Sequence, residues 1–247
     1  MAISIRIRGV VQGVGFRPFV WHLASQLGMT GEVGNDAEGL LIHAYSDSDS
    51  LDKFSRLIRE NAPPLARIDS LESSARTAAK IPSSCTISAS RGHEHTTDAI
   101  TPDAALCPDC LSETGDPADR HFGYPFTSCT YCGPRLSIVH AVPYDRANTS
   151  MAPFPMCELC QAEYDDPKNR RFHAQTNACP ACGPQLWLED ASGNRGDSGS
   201  KASSASHIIA KVAALLNEGY ILAIKGMGGF HLAGVNINSN PNHGISP

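Results

Sequence analysis

The chain has 247 residues, enough for two or three small domains, and its 41% apolar residues suffice for packed cores. No run approaches the roughly 20 apolar residues of a membrane span, and the start, Met1-Ala2-Ile3-Ser4-Ile5-Arg6, alternates polar and apolar instead of forming an export-signal core; both observations place the protein in the cytoplasm. A formal charge of −5 argues against broad nucleic-acid binding.

Ile3, Ile5 and Ile7 alternate with Ser4, Arg6 and Arg8, the period of a half-buried strand. This strand runs into Gly9-Val10-Val11-Gln12-Gly13-Val14-Gly15-Phe16-Arg17. Pro18 then suits a first helical turn, and Phe19, Val20, Leu23, Ala24 and Leu27 recur at helical spacing up to Gly28. Residues 31–35 read as a strand ending near Asn35, followed by a turn at Asp36-Ala37-Glu38-Gly39 and a partner strand at 40–45. A second helix shows Leu51, Phe54, Leu57 and Ile58 on one face, with its cap at Ser48, Asp49 or Ser50 and a stop at Pro63-Pro64. Short strands near 68–73 and 85–88 complete the order βαββαβ with an extra edge strand, and Cys85 in the last of them reads as a buried thiol.

A loop such as Val11, Gln12, Gly13, Val14, Gly15 and Phe16 can aim successive N–H groups at an anion, with a helix dipole behind them and the Arg17 guanidinium closing the cradle. Taken alone, Gly13-Val14-Gly15 also suits an ordinary flexible turn, Arg17 a solvated charge, and Asn35 a turn residue. Arg6-Ile7-Arg8-Gly9-Val10-Val11-Gln12-Gly13-Val14-Gly15-Phe16-Arg17, however, resembles the signature of acylphosphatases, and Gly31-x-Val33-x-Asn35-x-x-x-Gly39 resembles their second motif. The resemblance implies that Arg17 and the loop amides bind a phosphoryl group and that Asn35 orients the attacking water. Such a reaction, with a good acyl leaving group, needs positioning and charge stabilisation more than an acid–base pair.

Nine cysteines without an export signal read as metal ligands before disulfides. Cys107-x-x-Cys110 is followed after 18 residues by Cys129-x-x-Cys132, and Cys157-x-x-Cys160 precedes Cys179-x-x-Cys182 by the same gap. Every cysteine of the first unit recurs 50 positions later, as do Asp116-Pro117, Arg120, Phe122 and Gly133-Pro134 at Asp166-Pro167, Arg170, Phe172 and Gly183-Pro184. Two C-x-x-C knuckles complete a closed tetrahedral site, so the duplicated module is expected to hold two structural zinc ions, which would bring the net charge to about −9. A redox use of the pairs is the alternative chemistry, and sharing of each ion between repeats is the alternative pairing; duplication favours pairing within a repeat.

Residues 191–200 form a polar linker. Beyond it, 207–219 reads as a helix with Ile208, Ile209, Val212, Leu215 and Leu216 on its apolar face, and 220–225 as a strand. Residues 1 to about 233 are similar to the start of the HypF family, the carbamoyltransferases of nickel–iron hydrogenase maturation. The similarity rests on the acylphosphatase motifs, the cysteine register, Tyr124-Pro125-Phe126, Cys132-Gly133-Pro134-Arg135, Pro143-Tyr144-Asp145-Arg146, Asn148-Thr149-x-Met151 and Arg170-Arg171-Phe172-His173-Ala174-Gln175. Gly226-Met227-Gly228-Gly229-Phe230-His231-Leu232 resembles the opening of the family's YrdC-like nucleotide domain, in which Lys225 would face phosphate.

The fold class that follows is α+β: a ferredoxin-like βαββαβ acylphosphatase domain, a duplicated four-cysteine zinc-ribbon-like module and an incomplete α/β YrdC-like segment. The expected boundaries are 1–91 for the first domain, 92–105 for a linker, 106–187 for the fingers (106–136 and 156–187), 188–205 for a second linker and 206–247 for the last segment. The tail from Gly234 departs from the family pattern and is expected to reflect a truncation or a frame change. The resemblance implies carbamoyl phosphate or another acyl phosphate as substrate, with ATP and the acceptor HypE entering only in the full-length family reaction. A zinc-dependent interaction module without catalysis is the competing function. Nucleic acid and membrane are not expected partners.

Overall fold

The computed structural model describes residues 1–36, 38–77, 81–88, 90, 100–196, 205–226 and 229–235; the tail from 236 and parts of both expected linkers lie outside the described residues. The chain divides into two compact units, one of Met1–Leu111 with Phe126–Gly183, the other of Ser112–Pro125 with Pro184–Pro247.

In the first unit, β1 (Ala2–Val10), α1 (Phe16–Gln26), β2 (Thr30–Asp36), β3 (Gly39–Tyr45), α2 (Ser48–Glu60), β4 (Arg67–Ala75) and β5 (Cys85–Ile87) follow in chain order. The sheet order is β4-β1-β3-β2-β5, antiparallel except where β5 runs parallel to β2. Register places Ile5 opposite Ile42 and Ile7 opposite Leu40, so the alternating apolar residues of β1 and β3 point to one face. Phe16, Val20, Leu23 and Ala24 of α1 and Leu51, Phe54 and Ile58 of α2 pack on that face. Each fully buried side chain of this size contributes about 1.5–3 kcal/mol.

The helix ends follow from their local chemistry. Helix α1 stops in a Schellman turn, with the Met29 amide donating to Ala24 O (2.9 Å) and the Gly28 amide to Ser25 O (3.1 Å). The cap of α2 is Asp47, not one of the three residues expected from the sequence: its carboxylate accepts from the Ser50 amide at 2.9 Å, which pulls the helix start one residue upstream. Cys85 is half-buried, and burial pushes its thiol up to about 11.

The duplicated module shows its repeat in the backbone. Helix α3 (Pro108–Gly115) begins directly after Cys107, and α4 (Glu158–Asp165) directly after Cys157. A short 3-10 turn at Arg146–Asn148 lies in the segment between the repeats. In the second unit, β6 (Leu188–Glu189) pairs with β7 (Arg195–Gly196), α5 spans Ala205–Asn217, and β8 (Leu222–Gly226) forms an antiparallel hairpin with β9 (Gly229–Ala233). Among the described residues no helix is long and apolar enough to cross a membrane.

Candidate active site and metal centres

The glycine loop turns because Gly13 (φ 72°) and Gly15 (φ 75°) adopt left-handed backbone, Gly15 capping α1. The same turns send Val11, Val14 and Phe16 into the core, each no more than 1% exposed, and leave the loop backbone facing a cavity. The amides of Phe16 and Arg17 open α1 and so have no acceptor within the helix, and the first turn of α1 has no acidic residue. Gln12 is fully buried and ties the loop to the end of β2, its amide donating to Asp36 O at 3.2 Å.

Asn35, on β2, and Arg17, on α1, line that same cavity with Val11, Gly13 and Gly15. Asn35 is 3% exposed, and its Oδ1 has no hydrogen-bond partner among the described residues, an orphan acceptor suited to a water. The sequence-predicted loop, arginine and asparagine thus meet at one place. Lys225 does not join them: it lies on β8 in the other unit, its ammonium 5.8 Å from the Phe230 ring centroid.

The cavity also has a roof that the sequence reading did not assign. Arg135, after the second knuckle of the first repeat, donates from Nε to Gly13 O and from its two terminal nitrogens to the carbonyls of Cys132, Pro134, Cys129 and Thr130 at 2.9–3.4 Å. The Tyr144 amide donates to Gln12 Oε1 at 2.8 Å. Asp145 Oδ1 lies 2.7 Å from Arg17 Nη2, and Arg17 Nη1 donates to Ser90 Oγ at 3.1 Å. From the second repeat come His173, Ala174, Gln175 and Thr176. His173 adopts φ 55°; burial, then the nearby Arg17 charge, push its imidazole down to about 4, so it is neutral near pH 7. The contact is close enough that a Cβ on Gly15 would lie 2.7 Å from Thr130 Cγ2. The one available sequence signal was that the motifs containing Arg135, Tyr144, Asp145, His173 and Gln175 carried the family resemblance without a role in the loop chemistry.

Each cysteine tetrad is gathered from one repeat. Cys107, Cys110, Cys129 and Cys132 form the first and Cys157, Cys160, Cys179 and Cys182 the second, with sulfurs within 4.8 Å of one another and no disulfide among them. Successive sulfurs are 3.5–3.7 Å apart in the first and 3.5–3.8 Å in the second. A tetrahedron with zinc–sulfur bonds of about 2.3 Å has edges of about 3.8 Å, so both donor sets fit the metal. Arg170 of the second repeat donates to Cys110 Sγ at 2.9 Å, a cation beside a cluster whose four thiolates would exceed the charge of one zinc ion.

Fold, loop and tetrads together define an acylphosphatase-type domain carrying a pair of zinc fingers. Residues 3–83 match the acylphosphatase family, and residues 106–139 and 156–189 each match the HypF finger. The acylphosphatase of Thermotoga petrophila is 41% identical over 63 residues, 25% of this chain and 70% of that protein. The carbamoyltransferase HypF of Rhodobacter capsulatus is 53% identical over 232 residues, 94% of this chain and 30% of that protein. A crystal structure of full-length HypF in a phosphate- and nucleotide-bound form matches with a TM-score of 0.82 at 43% identity, covering 94% of this chain and 29% of that one. Through residues 3–83 the chain belongs to the acylphosphatase family; it carries two HypF fingers and spans about 30% of the length of the HypF carbamoyltransferases it matches.

Proposed function

We propose that the chain cleaves carbamoyl phosphate, or a closely related acyl phosphate, as the N-terminal part of a carbamoyltransferase for nickel–iron hydrogenase maturation. The convergence of Arg17, the loop amides and the orphan Oδ1 of Asn35 on one cavity carries the reading. Arg17 and the amides of residues 11–16 hold the phosphoryl oxygens and stabilise the charge that develops on them. Asn35 Oδ1 accepts a hydrogen bond from a water and aims its oxygen at phosphorus. Water forms the new P–O bond, the bond to the acyl oxygen breaks, and the products are phosphate and a carbamate or carboxylate. That leaving group is weakly basic, so the chain need not supply a proton to it.

The eight cysteines of the two tetrads hold two zinc ions on this reading, and four thiolates per ion leave no open position for catalysis. Their role is to fix the knuckles that roof the loop. Reduced thiols fit a cytoplasmic protein. Adenylation by ATP and transfer to HypE belong to the complete family reaction and are not assigned to these residues.

Hydrolysis of carbamoyl phosphate and benzoyl phosphate, measured for the purified zinc-loaded chain and for Arg17→Ala, tests the proposal. The expected outcome is a fall of at least about a hundredfold in kcat/KM for Arg17→Ala. An unchanged rate, or no hydrolysis above background by the unaltered chain, would refute the catalytic reading.

A further inference from the structure

We propose that Asp145 is the resident anion of the Arg17 cradle and that it sets phosphoryl affinity by competing for the guanidinium. The inference rests on the reading of Arg17 as the phosphate ligand.

Arg17 is 8% exposed, and its guanidinium stays charged under all ordinary conditions. A buried cation without an anion is costly, so a roofed cradle needs a counter-charge while it is empty. Asp145 supplies one: its Oδ1 is 2.7 Å from Arg17 Nη2, whereas the Nη1 partner, Ser90 Oγ, is uncharged. Carboxylate and phosphoryl oxygens satisfy a guanidinium N–H with the same charge-assisted geometry, so the carboxylate occupies a place that a phosphoryl oxygen would take.

The residue that carries this carboxylate is anchored through its chain neighbours. On one side the Tyr144 amide donates to Gln12 Oε1 of the loop at 2.8 Å. On the other, Arg146 donates to the carbonyls of Gln175 and Asn177 at 2.8 and 2.9 Å and, from Nη2, to that of Phe154 at 2.6 Å. The backbone of Asp145 is therefore fixed between the loop and the second repeat, and only its side chain is free to yield. A phosphoryl group entering the cradle brings a second negative charge next to this carboxylate. Like charges at that range repel, so binding requires Asp145 to release Nη2. Removing the carboxylate charge should tighten phosphoryl binding.

The probe is inorganic phosphate, titrated calorimetrically into the zinc-loaded full chain and into Asp145→Asn and Asp145→Ala, each with zinc content measured to establish folding. Asp145→Asn keeps the side chain's shape and loses its charge. Its Kd for phosphate is expected to fall about tenfold, with a parallel fall in KM for acyl phosphate. Equal or weaker phosphate binding in both variants would make Asp145 a support for Arg17 and overturn the proposal. Arg17→Ala separates the two layers of the argument. If it binds phosphate as tightly as the unaltered chain, the phosphate-site reading and the competition both fall. If binding depends on Arg17 but neither Asp145 variant tightens it, only the competition falls.

Discussion

Arg135 ties the glycine loop to the second knuckle, and its loss should be strongly destabilising. It is 3% exposed and serves five carbonyl oxygens, those of Gly13 in the loop and of Cys129, Thr130, Cys132 and Pro134 around the second knuckle. Arg135→Ala takes a charged donor from all five. At about 1 kcal/mol each, below the usual ~1.5–3 kcal/mol for bonds to charged groups because water can enter the vacated space, the loss is about 5 kcal/mol. Relief of the guanidinium's own burial offsets part of it, leaving a net destabilisation of about 3–4 kcal/mol. For a chain of this size that is a fall of about 10 °C in Tm. Circular dichroism melts of the zinc-loaded chain measure it, and Arg135→Lys should recover only a small part, since an ammonium cannot span the fork. A shift below about 2 °C for Arg135→Ala would show that the knuckle and the loop are held by something else.

Two further outcomes follow from the same geometry. Cys110→Ser should lower the zinc content from two ions per chain to one, because each tetrad draws its ligands from one repeat; loss of both ions by elemental analysis would mean that the tetrads form only together. His173 gives a pH dependence. Its folded-state pKa is near 4, against 6.5 for the free imidazole, so below 6.5 the unfolded chain takes up a proton that the folded chain refuses. The stability it contributes is complete above pH 6.5 and is lost as pH falls toward 4, by about 2 kcal/mol after discounting for its partial exposure. His173→Asn, which tolerates positive φ, should flatten the urea-midpoint profile between pH 7 and pH 4; an unchanged slope would locate the titration elsewhere.

What the sequence revealed and what it hid divide along physical lines. Alternation in β1 and β3, the helical spacing of Leu51, Phe54 and Ile58, and the closely spaced cysteines are local patterns, and each produced an element or a cluster at the expected place. The cap of α2 was misplaced because Ser48, Asp49, Ser50 and Asp47 all suit a cap, and only the backbone turn decides among them. The roof was invisible for a different reason. Gln12 meets Tyr144 across 132 positions and Arg17 meets Asp145 across 128, and no periodicity encodes such pairs. Arg17 reads from the sequence as a phosphate ligand, and the structure encloses it with residues from three separated segments.

The two repeats match cysteine for cysteine, but they have divided the work at the loop. Thr130 and Arg135 contact it from the first repeat, where the second has Pro180 and Gln185; His173 and Gln175 line the cavity from the second, where the first has Gly123 and Pro125. A chain given two copies of either repeat would keep its cysteine register and lose half of the enclosure. The cysteine scaffold occurs twice, and the different residues at these four pairs of unligated positions make the copies non-interchangeable at the loop.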